Sequence, residues 1–349
     1  MNIKYSANRS KELVQVCRLM FATTKEVTLR GYRILERLYQ QAFWDKAIIT
    51  TFQEDMGSSR TAVNHNVIGT EREFHNEETS TYWLPKDDEE QKRLAGQHFA
   101  FKDLYEGNVL PSVTKALDFQ KGITILDVGC GSGVWVMDMI TEYPNCTYHG
   151  CDIVDTTNKK LPLKQFTYAY GNVTKRLPYE DNTFDFVHMR FFVLALNEEH
   201  EWPAAISEVI RVTKPGGMIQ VADCDLRLPK DHTAVFHKVM HAIRTVCISR
   251  GQNPNIGVEL EKMLSKHDNV KIVQSDYRAC DMSSGTSAAK KFIWDCLEGV
   301  KSIQPMVGPM LGIKTQEDMA NFLTEYKHSL ETQQCHFCFN SVAAQKLQL

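Results

Sequence analysis

From Thr124 onward, short apolar runs alternate with amphipathic stretches almost to the end of the chain. The runs predict strands at Thr124 to Val128, Thr147 to Asp152, Phe166 to Tyr170, Phe184 to His188 and Met218 to Asp223, each bounded by turn-forming residues. Apolar residues at helical spacing predict helices at Val134 to Glu142, Trp202 to Val212 and Ala234 to Arg250. Strands that alternate with helices make a βαβ series, because parallel neighbours need a crossover long enough to hold a helix. A β-branched run at Val270 to Tyr277 and a strand at Cys335 to Val342 then flank helical patterns at Ala288 to Ile303 and Glu317 to Ser329. These last strands are expected to pair antiparallel around a helical insertion at about residues 283–330. The expected class is α/β, with a doubly wound seven-stranded sheet over residues 121–349.

Upstream the pattern differs. Leu13, Val16, Met20, Ile34, Leu38 and Phe43 suit amphipathic helices, and residues 1–50 hold nine Lys/Arg against four Asp/Glu. A basic helical N-terminal arm is expected there. Between Gln53 and Glu90 the balance reverses to ten acidic against three basic residues, and Gly57-Ser58-Ser59 and Asn64-His65-Asn66 break the periodicity. Residues 51–81 therefore read as an acidic linker. Helical patterns return at Asp87 to Leu104 and Ser112 to Phe119, giving a helical lid segment over residues 82–120.

Composition narrows the classes. A net charge of -3 supplies no global basic field, so nucleic acid is not an expected partner. No run of about 18 uninterrupted apolar residues predicts a membrane span, and a cytoplasmic or nuclear location is expected. The ten cysteines lack the dense spacing of a disulfide scaffold and are expected to be reduced thiols. Cys335 and Cys338 have the C-x-x-C spacing, but they alternate with Phe337 and Phe339 as in a strand and no second pair lies nearby. No metal site is expected.

The chemistry gathers at Ile123-Thr-Ile-Leu-Asp127-Val-Gly129-Cys130-Gly131-Ser-Gly133, an apolar strand running through three alternate glycines into a helix. Glycine permits a tight turn and close backbone approach, and the N–H groups that follow face a ligand. A nucleotide-like cofactor is expected there. Asp152 ends the next strand, where a carboxylate can accept both hydroxyls of a ribose, with Ile153 beside it. Asn172 and Val173 follow the third strand, where a side-chain amide can meet an adenine edge. Singly, Asp152 and Asn172 are equally well turn residues; their order after consecutive strands favours the joint reading.

With these residues the sequence resembles class I S-adenosylmethionine-dependent methyltransferases over roughly Gly122 to Lys346. Asp127, Gly129, Gly131 and Gly133 match that family's first motif, Asp152 its ribose acid and Asn172 its adenine-side position. The segment Asn182 to Arg190 resembles its fourth strand and following loop, which places Met189 and Arg190 beside the methionine part of the cofactor. Lys214-Pro215-Gly216-Gly217 resembles the turn before its fifth strand. Tyr82 to His98, Trp135 and Ala344-Gln345-Lys346 are similar to fungal methyltransferases related to the regulators of secondary metabolism. Ile153-Val154-Asp155 departs from the Ser/Pro-containing turn of that family.

The resemblance implies S-adenosyl-L-methionine as cofactor, a Rossmann-like sheet, and methyl transfer to a nucleophilic atom. A small-molecule acceptor is expected, because the Tyr82 to His98 segment and the helices between the last two strands can enclose a pocket. A base is needed only where the nucleophile starts protonated. The candidates are His98, His188 and Tyr82, with Asp225 behind them, while Arg190 and Arg93 suit carboxylates. A His or Tyr beside a cofactor more often packs or hydrogen-bonds than transfers a proton. Trp83 and Trp135 suit either a pocket wall or the core. A second reading is a protein or nucleic-acid methyltransferase, or a cofactor-binding regulator whose arm meets a protein partner. A nicotinamide-dependent oxidoreductase is third, since that class uses G-x-G-x-x-G where this chain has G-x-G-x-G.

Overall fold

A computed structural model of the chain describes residues 72–74, 82–154 and 164–348. The arm expected over 1–50 and nearly all of the linker expected over 51–81 lie outside the described residues.

Seven strands form one sheet in the order β3-β2-β1-β4-β5-β7-β6. They are β1 (Thr124–Val128), β2 (Thr147–Asp152), β3 (Phe166–Tyr170), β4 (Phe184–Arg190), β5 (Thr213–Asp225), β6 (Val270–Asp281) and β7 (His336–Lys346). The first five are parallel, and β7 runs antiparallel between β5 and β6. Among the described residues the α-helices are α1 (Asp88–Tyr105), α2 (Pro111–Ala116), α3 (Val134–Glu142), α4 (Glu201–Val212), α5 (Val235–Ser249), α6 (Ile256–Ser265), α7 (Ser287–Leu311) and α8 (Gln316–Thr332). The chain order reverses between β1 and β4, and ligands of open α/β sheets bind at the carboxyl ends of the strands at such a point.

β1, β2, β3 and α3 coincide with the bounds read from the sequence. β5 does not: it starts at Thr213 and takes in Lys214 to Gly217, the segment expected as a turn. Its register against β4 shifts between Phe184 and Phe186, so the irregularity survives as a bulge inside the ladder. The short helix α6 was not predicted, although Ile256, Leu260, Met263 and Leu264 lie on one buried face. Asn253-Pro254-Asn255 before it and Gly257 in its first turn had hidden that spacing.

β1 and β4 are buried almost throughout, as a central parallel strand must be. Asp87 caps α1 by accepting from Glu90 N at 3.0 Å. α1 lies against α7 of the insertion, close enough that a Cβ on Gly96 would stand 2.2 Å from Trp294 Cζ3. Gly96→Leu is therefore expected to lower stability by about 1–3 kcal/mol through overpacking, read as a lower urea midpoint with unchanged slope. None of the cysteines among the described residues is in a disulfide, no described helix is long and apolar enough to cross a membrane, and no metal-binding cluster occurs among the described residues.

Candidate functional site

The turn after β1 is held to β2 by Gly129 N and Cys130 N, which donate to Cys151 O at 2.8 and 3.1 Å. Gly129, Gly131 and Gly133 all have positive φ, at 68°, 51° and 79°. Glycine is thus required by the backbone at each position. The space around them differs: a Cβ on Gly129 would meet the Phe192 ring at 2.4 Å, whereas one on Gly131 would meet nothing within 4 Å. Gly131 faces a cleft of about 190 Å³, also lined by Asp127, Gly129, Cys130, Asp152, Ile153, Asn172, Val173 and Arg190. Two expected cofactor residues do not line it themselves. Gly133 is buried and caps α3, and Met189 is wholly buried in the core, because β4 alternates and it is Arg190 that reaches the cleft.

Asp152 closes the floor. Its carboxylate accepts from Gly131 N at 2.9 Å and Val154 N at 3.0 Å. Burial raises its pKa, against the lowering effect of those amides. Asn172 Oδ1 accepts from Thr174 N at 2.9 Å and Thr174 Oγ1 at 2.8 Å, which fixes the turn after β3.

Asp127 and His188 sit opposite each other in the β1–β4 ladder, and His188 Nδ1–H donates to Asp127 Oδ1 at 2.8 Å. The His188 ring stacks on Trp135 with centroids 4.0 Å apart, and burial lowers its pKa. It stands behind the cleft wall, which Trp135 and Asp127 line. His98 is also fully buried and outside the lining. Arg190 Nη2 donates to His98 Nδ1 at 2.8 Å, so the ring proton is on Nε2, which donates to Asp138 Oδ2 at 2.9 Å. Burial lowers the pKa of His98 to about 4.

Tyr82 does line the cleft. Burial, with Glu90 next, raises its pKa well above the ordinary phenol value, so the hydroxyl is a donor. Asp225 is buried and accepts from Asn255 Nδ2 at 2.5 Å and Tyr277 Oη at 3.0 Å. Trp83 is core, its Nε1–H on Gln252 Oε1 at 3.2 Å.

Gln91, Leu94 and Gln97 of α1, with Pro85 and Lys86 before it, form the opposite wall of the cleft. Sequence reasoning placed this segment near the cofactor but did not single out these side chains; their three-residue spacing along α1 was the available signal. A second chamber of about 130 Å³ shares Tyr82, Leu94, Gln97 and Phe191 with the cleft. Its other walls come from β5, α5, α7, α8 and β7, among them Met240, Ile243, Val300, Ile303, Phe337 and Phe339. Arg93 and Asp295 meet at its edge, 2.6 Å apart; a pocket between the Tyr82 to His98 segment and the helices before the last strand was expected, whereas the ion pair was not read from the sequence.

A family profile described as a methyltransferase domain matches residues 125–217, which run from β1 into β5 and include the glycine turn and Asp152. The chain carries a match to a methyltransferase domain over those residues. It is related to the fungal regulators of secondary metabolism and the methyltransferases that resemble them. It is 25% identical to the secondary metabolism regulator laeA of Coprinopsis cinerea over 159 residues, 45% of this chain and 39% of that protein. It is 28% identical to the secondary metabolism regulator LAE1 of Cochliobolus heterostrophus over 174 residues, 47% of this chain and 53% of that protein. It is 24% identical to the methyltransferase pytC of Aspergillus terreus over 231 residues, 61% of this chain and 66% of that protein. The chain thus spans between about two fifths and two thirds of the length of these relatives.

The cleft fits the cofactor of this class on its own geometry. The space a Cβ would take at Gly131 is open, and Asp152 offers a carboxylate at the end of β2.

Proposed function

We propose that the chain binds S-adenosylmethionine in the cleft and transfers its methyl group to a small, largely apolar molecule in the second chamber. The observation that carries this is the adjacency of the two cavities, which share Tyr82, Leu94, Gln97 and Phe191 as common walls. Gly131 admits the cofactor close to the backbone, Gly129 leaves room for the Phe192 ring beside it, Asp152 takes the ribose hydroxyls, and Ile153, Asn172 and Val173 flank the base. When bound, the cofactor supplies a sulfonium methyl that is already electrophilic. The protein's task is then mainly alignment of the acceptor along the line of displacement. Tyr82, on both cavities and held protonated, orients the acceptor by donating a hydrogen bond. His98 and His188 shape the walls through Arg190 and through Asp127 and Trp135.

A regulator acting through a protein partner, or an enzyme acting on a macromolecule, is the second reading, favoured by the names of two relatives. Methyl-labelled cofactor incubated with the protein and a cell extract separates the two. Label is expected in the small-molecule fraction. It should fall at least about tenfold in Met240→Trp, which fills the chamber, while affinity for S-adenosylhomocysteine is kept. Label confined to protein or nucleic acid would favour the second reading.

A further inference from the structure

Arg190 ends β4 with its guanidinium on the cleft, yet among the described residues no carboxylate lies within ion-pair distance of it. Its hydrogen bond goes to a neutral imidazole, His98 Nδ1, at 2.8 Å. The planar group is also held against aromatic rings, 5.7 Å from the Phe101 centroid and 5.2 Å from that of Phe191. The carboxylate that would ordinarily neutralise such an arginine stands one residue further back. Asp138 accepts from His98 Nε2 at 2.9 Å, from Lys102 Nζ at 2.8 Å and from Asn108 Nδ2 at 2.8 Å.

We infer that His98 is a positioning residue, which aims the Arg190 guanidinium into the cleft as an un-neutralised cation for the carboxylate of the cofactor's methionine moiety. The imidazole can do what a carboxylate in its place cannot. A neutral acceptor fixes the direction of one N–H and leaves the positive charge unspent, whereas an anion would hold the arginine and compete with the ligand. Asp138 fixes the tautomer that keeps Nδ1 an acceptor, and Lys102 and Asn108 occupy its remaining lone pairs, so Asp127 and Asp138 act on Arg190 only through space and neither forms an ion pair with it. The low pKa of His98, about 4, agrees with a ring that stays neutral across the ordinary pH range.

The inference rests on the cofactor site proposed above, and its test separates the two. S-adenosylhomocysteine and 5′-methylthioadenosine share the adenosine and the sulfur, but only the first has the amino-acid carboxylate. Calorimetric titration of the full chain is expected to show that wild type prefers S-adenosylhomocysteine by roughly 10- to 100-fold. Arg190→Met and His98→Asp should each lose most of that preference with methylthioadenosine affinity kept, the second because its carboxylate neutralises Arg190. His98→Asn, whose amide oxygen falls near the Nδ1 position, should retain the preference. Retained methylthioadenosine binding also shows that each variant is folded. If His98→Asp keeps the wild-type preference, or His98→Asn loses it as fully as His98→Asp, the positioning role is wrong while the cofactor site stands. If wild type binds neither compound, the cofactor site itself is wrong.

Discussion

Asp152→Asn is expected to weaken S-adenosylmethionine binding about 100-fold and to leave the fold at least as stable as it was. Two hydroxyls hydrogen-bonded to one carboxylate are worth about 3 kcal/mol together, which corresponds to the stated loss of affinity. The stability half of the prediction follows from the raised pKa of the carboxyl, for which burial is the leading cause. A carboxyl whose folded pKa lies above its unfolded value favours the fold most below the unfolded value, and that contribution is lost as pH rises through the folded one. At neutral pH the ionised group is thus a cost to the protein, offset in part by the amides of Gly131 and Val154. Asparagine keeps an oxygen for one of those amides and removes the buried charge. Isothermal titration and urea unfolding at neutral and mildly acid pH measure both halves. Unchanged cofactor affinity would remove Asp152 from the site, and a large loss of stability would mean that the two amide bonds outweigh the desolvation.

That residue also shows which parts of the site a linear sequence can reveal. Asp152, the three glycines and Asn172 stand directly after consecutive parallel strands, so finding the strands locates the residues, and the apolar runs of β1 and β2 are bounded sharply. Local periodicity carries no information about which distant side chains meet. The chamber beside the cleft draws on α5, α7, α8 and β7, more than a hundred residues beyond the glycine turn. His98 had the residue type of a base, but its role depends on Asp138 and Arg190, 40 and 92 positions away. Met189 and Arg190 were read together as cofactor neighbours, and only the pleat of β4, which buries one and turns the other to the cleft, separates them.

The anchoring of α1 was equally hidden, and it leads to the largest expected change in stability. Glu90 and Arg93 are one turn apart on that helix, and Arg93 Nη2 donates to Glu90 Oε1 at 2.6 Å while its Nη1 donates to Asp295 Oδ1 at 2.6 Å on α7. Glu90 is 0% exposed and Asp295 3%, so both carboxylates depend on the same buried cation. Arg72 is a poor substitute, with its Nη2 3.8 Å from Glu90 Oε2 and its shorter contacts made to Asp87. Arg93→Met fills much of the same volume but leaves two buried acids facing each other, and it is expected to cost about 3–5 kcal/mol at pH 7. The size of the deficit should depend on pH. Burial already holds Asp295 above the usual carboxylate range with Arg93 opposing it, so loss of the arginine raises it further. A raised acid favours the fold below its unfolded pKa and loses that contribution as pH rises through the folded value, so the deficit of Arg93→Met should shrink towards acid pH. Adding Asp295→Asn should recover part of the loss at pH 7, because one of the two facing charges is then gone. Urea unfolding of wild type, the single variants and the double variant at pH 7 and pH 5 gives all the terms. A cost under about 1 kcal/mol for Arg93→Met at pH 7 would show that the network does not secure α1 against the insertion.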